Sequence, residues 1–235
     1  MAHDGDYYYT ISGGKATITG YAGVGGAVVI PSTVGGYPVV SIGDYSFRMT
    51  SSLTSVVVPS GVTYIGTNAF ESCHNLTSAI LPNTVTTMMD EIFYADYNLT
   101  SINIPPNVTE IKDYTFSESA LTSIVIPDNV TTIGQHVFEL CWQLVSATLG
   151  KGLSTIGDYA FWQCSGLLSI DFRGKVAPAS VGVSWIEYAP AELRGHAQAS
   201  SDFPAPGEDF YGLTMGDHLP PLATPLTFGV ILGGF

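Results

Sequence analysis

The chain has 235 residues, 46% of them hydrophobic and only 11% charged, a balance opposite to that of a disordered chain. Its net charge is −13, and seven Lys and Arg are too few to neutralise a nucleic-acid backbone or to favour an anionic membrane surface. No stretch reaches the ~18 continuous apolar residues of a membrane span, so no membrane insertion is expected.

The first residues, Met1-Ala2-His3-Asp4-Gly5-Asp6, lack a basic region followed by an apolar one. No signal peptide is therefore read here, which fits either a cytoplasmic protein or a chain that begins after a removed signal. Residues 1–30 read as an N-terminal β cap. Tyr7 to Ile11 and Ala16 to Thr19 alternate apolar and polar around Ser12-Gly13-Gly14-Lys15, a hairpin signal.

Residues 31–173 carry a repeat. Phe47, Phe70, Phe93, Phe116, Phe138 and Phe161 are spaced 23, 23, 23, 22 and 23 residues apart. A Leu column (Leu53, Leu76, Leu99, Leu121, Leu144, Leu167) and a third column (Ile42, Ile65, Met88, Ile111, Ile133, Ile156) absorb the same single deletion. It falls between Phe116 and Leu121, and chance periodicity does not explain three columns that share it. Within a unit such as 53–75, Leu53, Val56 and Val58 are expected to point inward from a short strand while Ser55 and Val57 point out. Pro59 ends the strand, Val62 and Ile65 place a second apolar pair inside, and Gly66 turns the chain. Asp44, Asp90, Asp113 and Asp158 share one position ahead of the Phe and are placed to cap a single helical turn. The first coil is longer because it carries Gly35-Gly36-Tyr37-Pro38.

The unit reads Leu-x-x-Ile-x-Ile-Pro-x-x-Val-Thr-x-Ile-Gly-x-x-Ala-Phe-x-x-Cys. Its period and Leu column resemble a leucine-rich repeat. The Ala-Phe-x-x-Cys segment and the Ile-Pro after the strand resemble the bacterial BspA subtype, also found in a treponemal protein, over residues 7–173. The resemblance implies an α/β solenoid of six ~23-residue coils with short parallel strands and an N-terminal β-hairpin cap. Its convex side is mostly non-helical or of one-turn helices. It also implies a secreted or cell-surface bacterial adhesion protein. Beyond about Gly174 the pattern stops, and 174–235 reads as a C-terminal cap (174–200), a loop (201–220) and an added strand (226–235).

Outward strand positions stack in columns ~4.8 Å apart. One is Ser55, Ser78, Ser101, Ser123, Ser146 and Ser169; its neighbour is Val57, Ile80, Asn103, Val125, Thr148 and Asp171. A third is Thr63, Thr86, Thr109, Thr131 and Ser154, whose hydroxyls are expected to bond along the ladder. Small residues suit a tightly curved sheet. The same strip also suits a binding surface, because solenoids use such extended faces. The expected ligand is a protein or glycan held on the concave strand face by those twelve residues.

Chemistry finds less support. Nucleophilic catalysis needs Ser or Cys beside a His held by an acid. His74 and His136 belong to the repeat, and Gly152-Leu153-Ser154-Thr155-Ile156 lacks the second Gly of a nucleophile elbow. Cys73, Cys141 and Cys164 occupy one repeat slot and read as buried, inert thiols. No Cys-x-x-Cys and no zinc-ligand spacing occur, so no metal and no cofactor is expected. The alternative is a hydrolase with its site in or beside the C-terminal segment, where His196, Asp202, Glu208, Asp209 and His218 gather. Four Asn-x-Thr sequons, at Asn75, Asn98, Asn107 and Asn129, follow from the repeat consensus.

Overall fold

The structure, a computed structural model, describes residues 2–219; the strand expected over 226–235 lies outside them. At the N-terminus β1 (Ala2–Asp4), β2 (Tyr7–Ser12) and β3 (Lys15–Tyr21) form an antiparallel meander. Its tight turn uses Gly13 and Gly14 at φ of 56° and 75°, which glycine adopts without a Cβ penalty. The first coil follows as β4 (Gly26–Val29), β5 (Thr33–Val34) and β6 (Tyr37–Ile42). β3 then pairs in parallel with β6, so the hairpin becomes the first layer of the stack.

Each later coil contributes two short strands. They are β7 (Leu53–Val57) and β8 (Tyr64–Ile65), β9 (Ser78–Ile80) and β10 (Thr87–Met88), and β11 (Ser101–Ile102) and β12 (Glu110–Ile111). β13 (Ser123–Val125) and β14 (Thr132–Ile133), then β15 (Ser146–Leu149) and β16 (Thr155–Ile156), continue the series. β17 (Ser169–Phe172) and β18 (Ser180–Val181) end the regular part. β19 (Arg194–His196) extends the stack, and β20 (Asp209–Phe210) and β21 (Leu213–Thr214) form a hairpin.

Two parallel ladders therefore run up the solenoid. A third ladder joins the arches between Gly43 and the Leu column. Phe47, Phe70, Phe93, Phe116, Phe138 and Phe161 each donate their N–H to the arch of the next coil, from Ala69 to Trp185, without a break. These arches contain no helix among the described residues. Each instead holds two left-handed residues four apart, such as Tyr45 and Met49, Asn68 and Ser72, or His136 and Leu140.

The Asp positions consequently act differently from the expected helix caps. Asp44 accepts the N–H of Thr67, Asp113 that of Gln135 and Asp158 that of Val183, at 2.8–2.9 Å. Each carboxylate thus caps the coil above it rather than a turn of its own. The Thr hydroxyls also bond to backbone rather than to one another: Thr86 to the Thr63 carbonyl, Thr131 to Thr109 and Ser154 to Thr131.

The core is one continuous column. The six Phe rings stack at centroid distances of 5.0, 5.4, 5.9, 5.7 and 4.9 Å, and Tyr21 closes the lower end 5.0 Å from Phe47. Burying each ring contributes on the order of 1.5–3 kcal/mol relative to exposure.

Coil geometry continues past residue 173. β18 pairs with β16 and β19 with β17, and Ser184 and Tyr188 repeat the two left-handed positions. Trp185 takes the slot filled by Ala160 one coil below, donates Nε1–H to the Tyr211 carbonyl at 2.9 Å, and packs on Phe161 and Phe210. Phe203, Phe210, Leu213 and Met215 are buried against this coil. The stretch read as a loop, 201–220, thus holds a hairpin and part of the core within its described residues.

Candidate functional site

The strand face follows from the period of two. Along one inner column Val56, Ala79, Ile124, Ala147 and Ile170 are at most 4% exposed. The twelve residues expected to face outward all do so: none is buried. Ser55, Ser78 and Ser101 are in register with one another, as are Ser123, Ser146 and Ser169. None of these six hydroxyls has a hydrogen-bond partner among the described residues. The neighbouring column exposes apolar surface at Val29 (70%), Ile80 (57%) and Val125 (54%) and turns polar at Thr148 and Asp171. Arg194, missed by sequence reasoning because it lies beyond the periodic Phe, and His196, placed by it in a C-terminal cluster instead, extend the two columns by one step.

The face is not uniform. β7, β9 and β11 form one sheet with β4, and β13, β15, β17 and β19 another. Between β11 and β13 the ladder is absent. At the other steps the residue after the Leu column donates its N–H down the stack: Thr77 to Thr54, Thr100 to Thr77, Val145 to Thr122, Leu168 to Val145. Thr122 makes no such bond to Thr100, and the Ile104 N–H has no acceptor among the described residues.

Three local causes coincide there. Asn103 spends its side chain on the coil below, its Oδ1 accepting the Leu81 N–H (2.9 Å) and its Nδ2 donating to the Leu81 carbonyl (2.7 Å). After Ile104 the repeat's usual Pro105 is followed by a second proline, Pro106, so two successive residues lack an N–H. The one-residue deletion between Phe116 and Leu121 then shortens the path into β13.

The second ladder parts one strand earlier, between β10 and β12. Here the repeat's glycine slot is filled by side chains. A Cβ at Gly66, Gly134, Gly157 or Gly182 would meet backbone of the preceding coil at 2.3–2.9 Å, whereas the slot holds Met89 and Lys112 in two successive coils. Two side chains cannot share that approach, and Lys112 makes no ladder bond to Met88.

The parted step opens a cleft of about 500 Å³ lined by residues 100–104 and by Thr122, Ser123, Val125 and Pro127. That volume lies within the ~300–1,000 Å³ of ligand pockets. Ile102 forms its floor and is the inner residue of its column left partly exposed. Four of the twelve expected residues, Ser101, Asn103, Ser123 and Val125, line the cleft. The other eight flank it along the columns.

The C-terminal groups do not converge on a catalytic arrangement. Asp202 accepts the Ala177 N–H and so ties 202 to the segment after β17, while Glu208 accepts from Ala205 and Asp209 from Gly212, each closing a turn three residues long. His196 Nδ1 lies 2.8 Å from the Asp217 carbonyl. No group of three His, Cys, Asp or Glu placed to hold a metal occurs among the described residues. The three thiols donate to carbonyls of the coil below, Cys73 to Phe47, Cys141 to Phe116 and Cys164 to Phe138. A separate hollow of about 480 Å³ at the end of the stack is lined by residues 181–187, Tyr211 and Gly212.

The description "BspA type Leucine rich repeat region" matches residues 37–177 in six copies. The chain belongs to the BspA-type leucine-rich repeat family. Among solved structures the chain is similar to the leucine-rich repeat protein of T. pallidum, at 27% identity and a TM-score of 0.53, over 82% of this chain and 92% of that one. It is also similar to a leucine-rich repeat protein of Bacteroides capillosus (26% identity, TM-score 0.40, 63% of this chain and 96% of that one). A third is a leucine-rich cell surface protein of Faecalibacterium prausnitzii (24%, TM-score 0.40, 83% and 75%). The chain matches no curated protein sequence. No helix among the described residues of this BspA-type solenoid is long and apolar enough to cross a membrane.

Proposed function

We propose that this BspA-type solenoid is a recognition module, secreted or displayed at the cell surface, that holds a protein or glycan ligand on its strand face. The observation that carries the reading is the cleft at Ser101, Asn103, Ser123 and Val125, set within two columns of outward residues whose serine hydroxyls are unpartnered. Unpaired hydroxyls beside an apolar row supply hydrogen bonds for orientation and dry surface for affinity, as in protein interfaces. Membership of the BspA-type family supports the extracellular placement.

The test compares the intact chain with a Ser101→Arg/Ser123→Arg double variant on protein and glycan arrays. Asn103 is left alone because it holds Leu81. Loss of the wild-type ligand with an unchanged circular dichroism spectrum is the expected result. A ligand retained at full strength by the double variant would place recognition elsewhere.

A further inference from the structure

The reading above leaves the chemistry of the ligand open, and the parted step narrows it. Besides the side chains that line it, the cleft has unpaired backbone groups on both edges. On the β11 edge the Ile104 N–H and the Thr100 carbonyl have no hydrogen-bond partner among the described residues. On the β13 edge the same holds for the Thr122 N–H and the Val125 carbonyl. Each has its equivalent satisfied elsewhere in the stack: Ile126 donates to Thr148, Val58 to Ile80, and the Thr54 and Thr77 carbonyls accept from the coil above.

Two strand edges running in the same direction, each with an unsatisfied donor and acceptor, are complementary to an extended chain running parallel to both. From residue 100 to 104 the edge is five residues long, or roughly 17 Å at ~3.3 Å per residue. Side chains alternating along such a chain would meet the Ile102 floor on one face and the Ser101 and Ser123 hydroxyls on the other. Sugars offer hydroxyls in no such alternation.

We infer that the cleft between β11 and β13 is a peptide-binding site that receives an extended segment of a protein partner by β-strand addition. The inference rests on the recognition-module reading and gives it a ligand class: a segment of about five residues with branched apolar side chains on the inward face and a small polar residue leading the outward face. This is the pattern of the repeat's own strands.

The experiment uses the full ¹⁵N-labelled chain and follows amide hydrogen exchange. The probe is acetyl-Leu-Thr-Ser-Ile-Val-Ile-amide, the sequence of residues 121–126. Its controls are the same peptide N-methylated at alternate residues and chitohexaose. In the free chain the Ile104 and Thr122 amides should exchange at least tenfold faster than those of Val58 and Ile126. Saturating peptide should slow both by tenfold or more, and neither control should. The inference is overturned if both amides are already protected in the free chain, if the peptide leaves them unchanged, if the N-methylated peptide protects them equally, or if the sugar alone protects them. A peptide failure beside an array ligand lost in the double variant would sink strand addition and leave the module standing. An array ligand indifferent to the arginines would sink the module whatever the peptide does.

Discussion

Asn103 grips Leu81 with both ends of its amide, accepting the Leu81 N–H at 2.9 Å and donating to the Leu81 carbonyl at 2.7 Å. The side chain imitates a neighbouring strand at the point where its own backbone leaves the ladder. Asn103→Ala removes both bonds and leaves a half-buried donor and acceptor on Leu81. The expected cost is about 1–3 kcal/mol. Urea unfolding midpoints of the two proteins measure it, and an unchanged midpoint would mean that water replaces the amide without loss.

The glycine slot predicts opposite effects at two positions. A Cβ at Gly157 would sit 2.5 Å from the backbone of Gly134, so Gly157→Ala should destabilise by about 1–3 kcal/mol through overpacking. Lys112→Gly, in contrast, removes the side chain that separates β12 from β10, and the exchange of the residue 112 amide should slow as a ladder bond to Met88 forms. The Lys112–Glu110 ion pair lost in that variant is exposed and contributes little.

Asp96 stands in the slot that holds Cys73, Cys141 and Cys164 in other coils, fully buried, with Oδ1 accepting the Cys73 N–H at 2.7 Å and Oδ2 unpartnered. Burial first, then the nearby Glu71 carboxylate, raises its pKa well above the usual carboxylate range, against the lowering effect of the Cys73 N–H. A raised folded-state pKa favours the protonated form in the fold. Stability from this group is therefore complete below the unfolded pKa of ~3.9 and is lost as pH rises through the folded value. Asp96→Asn keeps the acceptor and removes the titration. It should flatten the fall in stability with rising pH and stabilise the alkaline protein by about 1–3 kcal/mol. Denaturation curves at pH 5 and pH 8 check both signs.

Burial pushes the Cys141 thiol up to about 11 and raises those of Cys73 and Cys164 as well. At pH 8 the thiolate fraction is small and the sulfurs are covered, so a disulfide reagent should find no reactive thiol in the folded chain and three in urea. A fast-reacting thiol under native conditions would contradict this packing.

Trp185 anchors the last coil through Phe161, Phe210 and Tyr211. Trp185→Ala should cost about 3–5 kcal/mol, and because coils interact only with neighbours the loss should stay local. Limited proteolysis should then cut first within 176–219 while the coils below resist.

The six coils were legible because each Phe and Leu column repeats an interior slot that accepts one shape. Residues 176–196 were not, because Trp185 fills the Ala slot and Ile186 replaces the Phe, while Ile156 to Val181 spans 25 residues. The outward strip was legible from the period of two. The parted step was not. Its ingredients, Asn103, Pro105-Pro106, Lys112 and the deletion, were visible singly, but a missing hydrogen bond depends on which coil lies beneath each of them. The carboxylates at 202, 208 and 209 suggested acid–base chemistry by composition alone, and only their backbone partners show that the first ties two segments together and the other two close turns.

The two breaks also have a mechanical consequence. Across the other internal steps of the regular stack all three ladders carry hydrogen bonds along the solenoid axis. In the coil of residues 99–120 the first strand is bonded only downward and the second only upward, while the arch through Phe93, Phe116 and Phe138 stays continuous. Tension applied between the two ends would therefore be borne at this coil by fewer bonds than anywhere else in the regular stack. The molecule would yield there first, opening like a book about the aromatic spine.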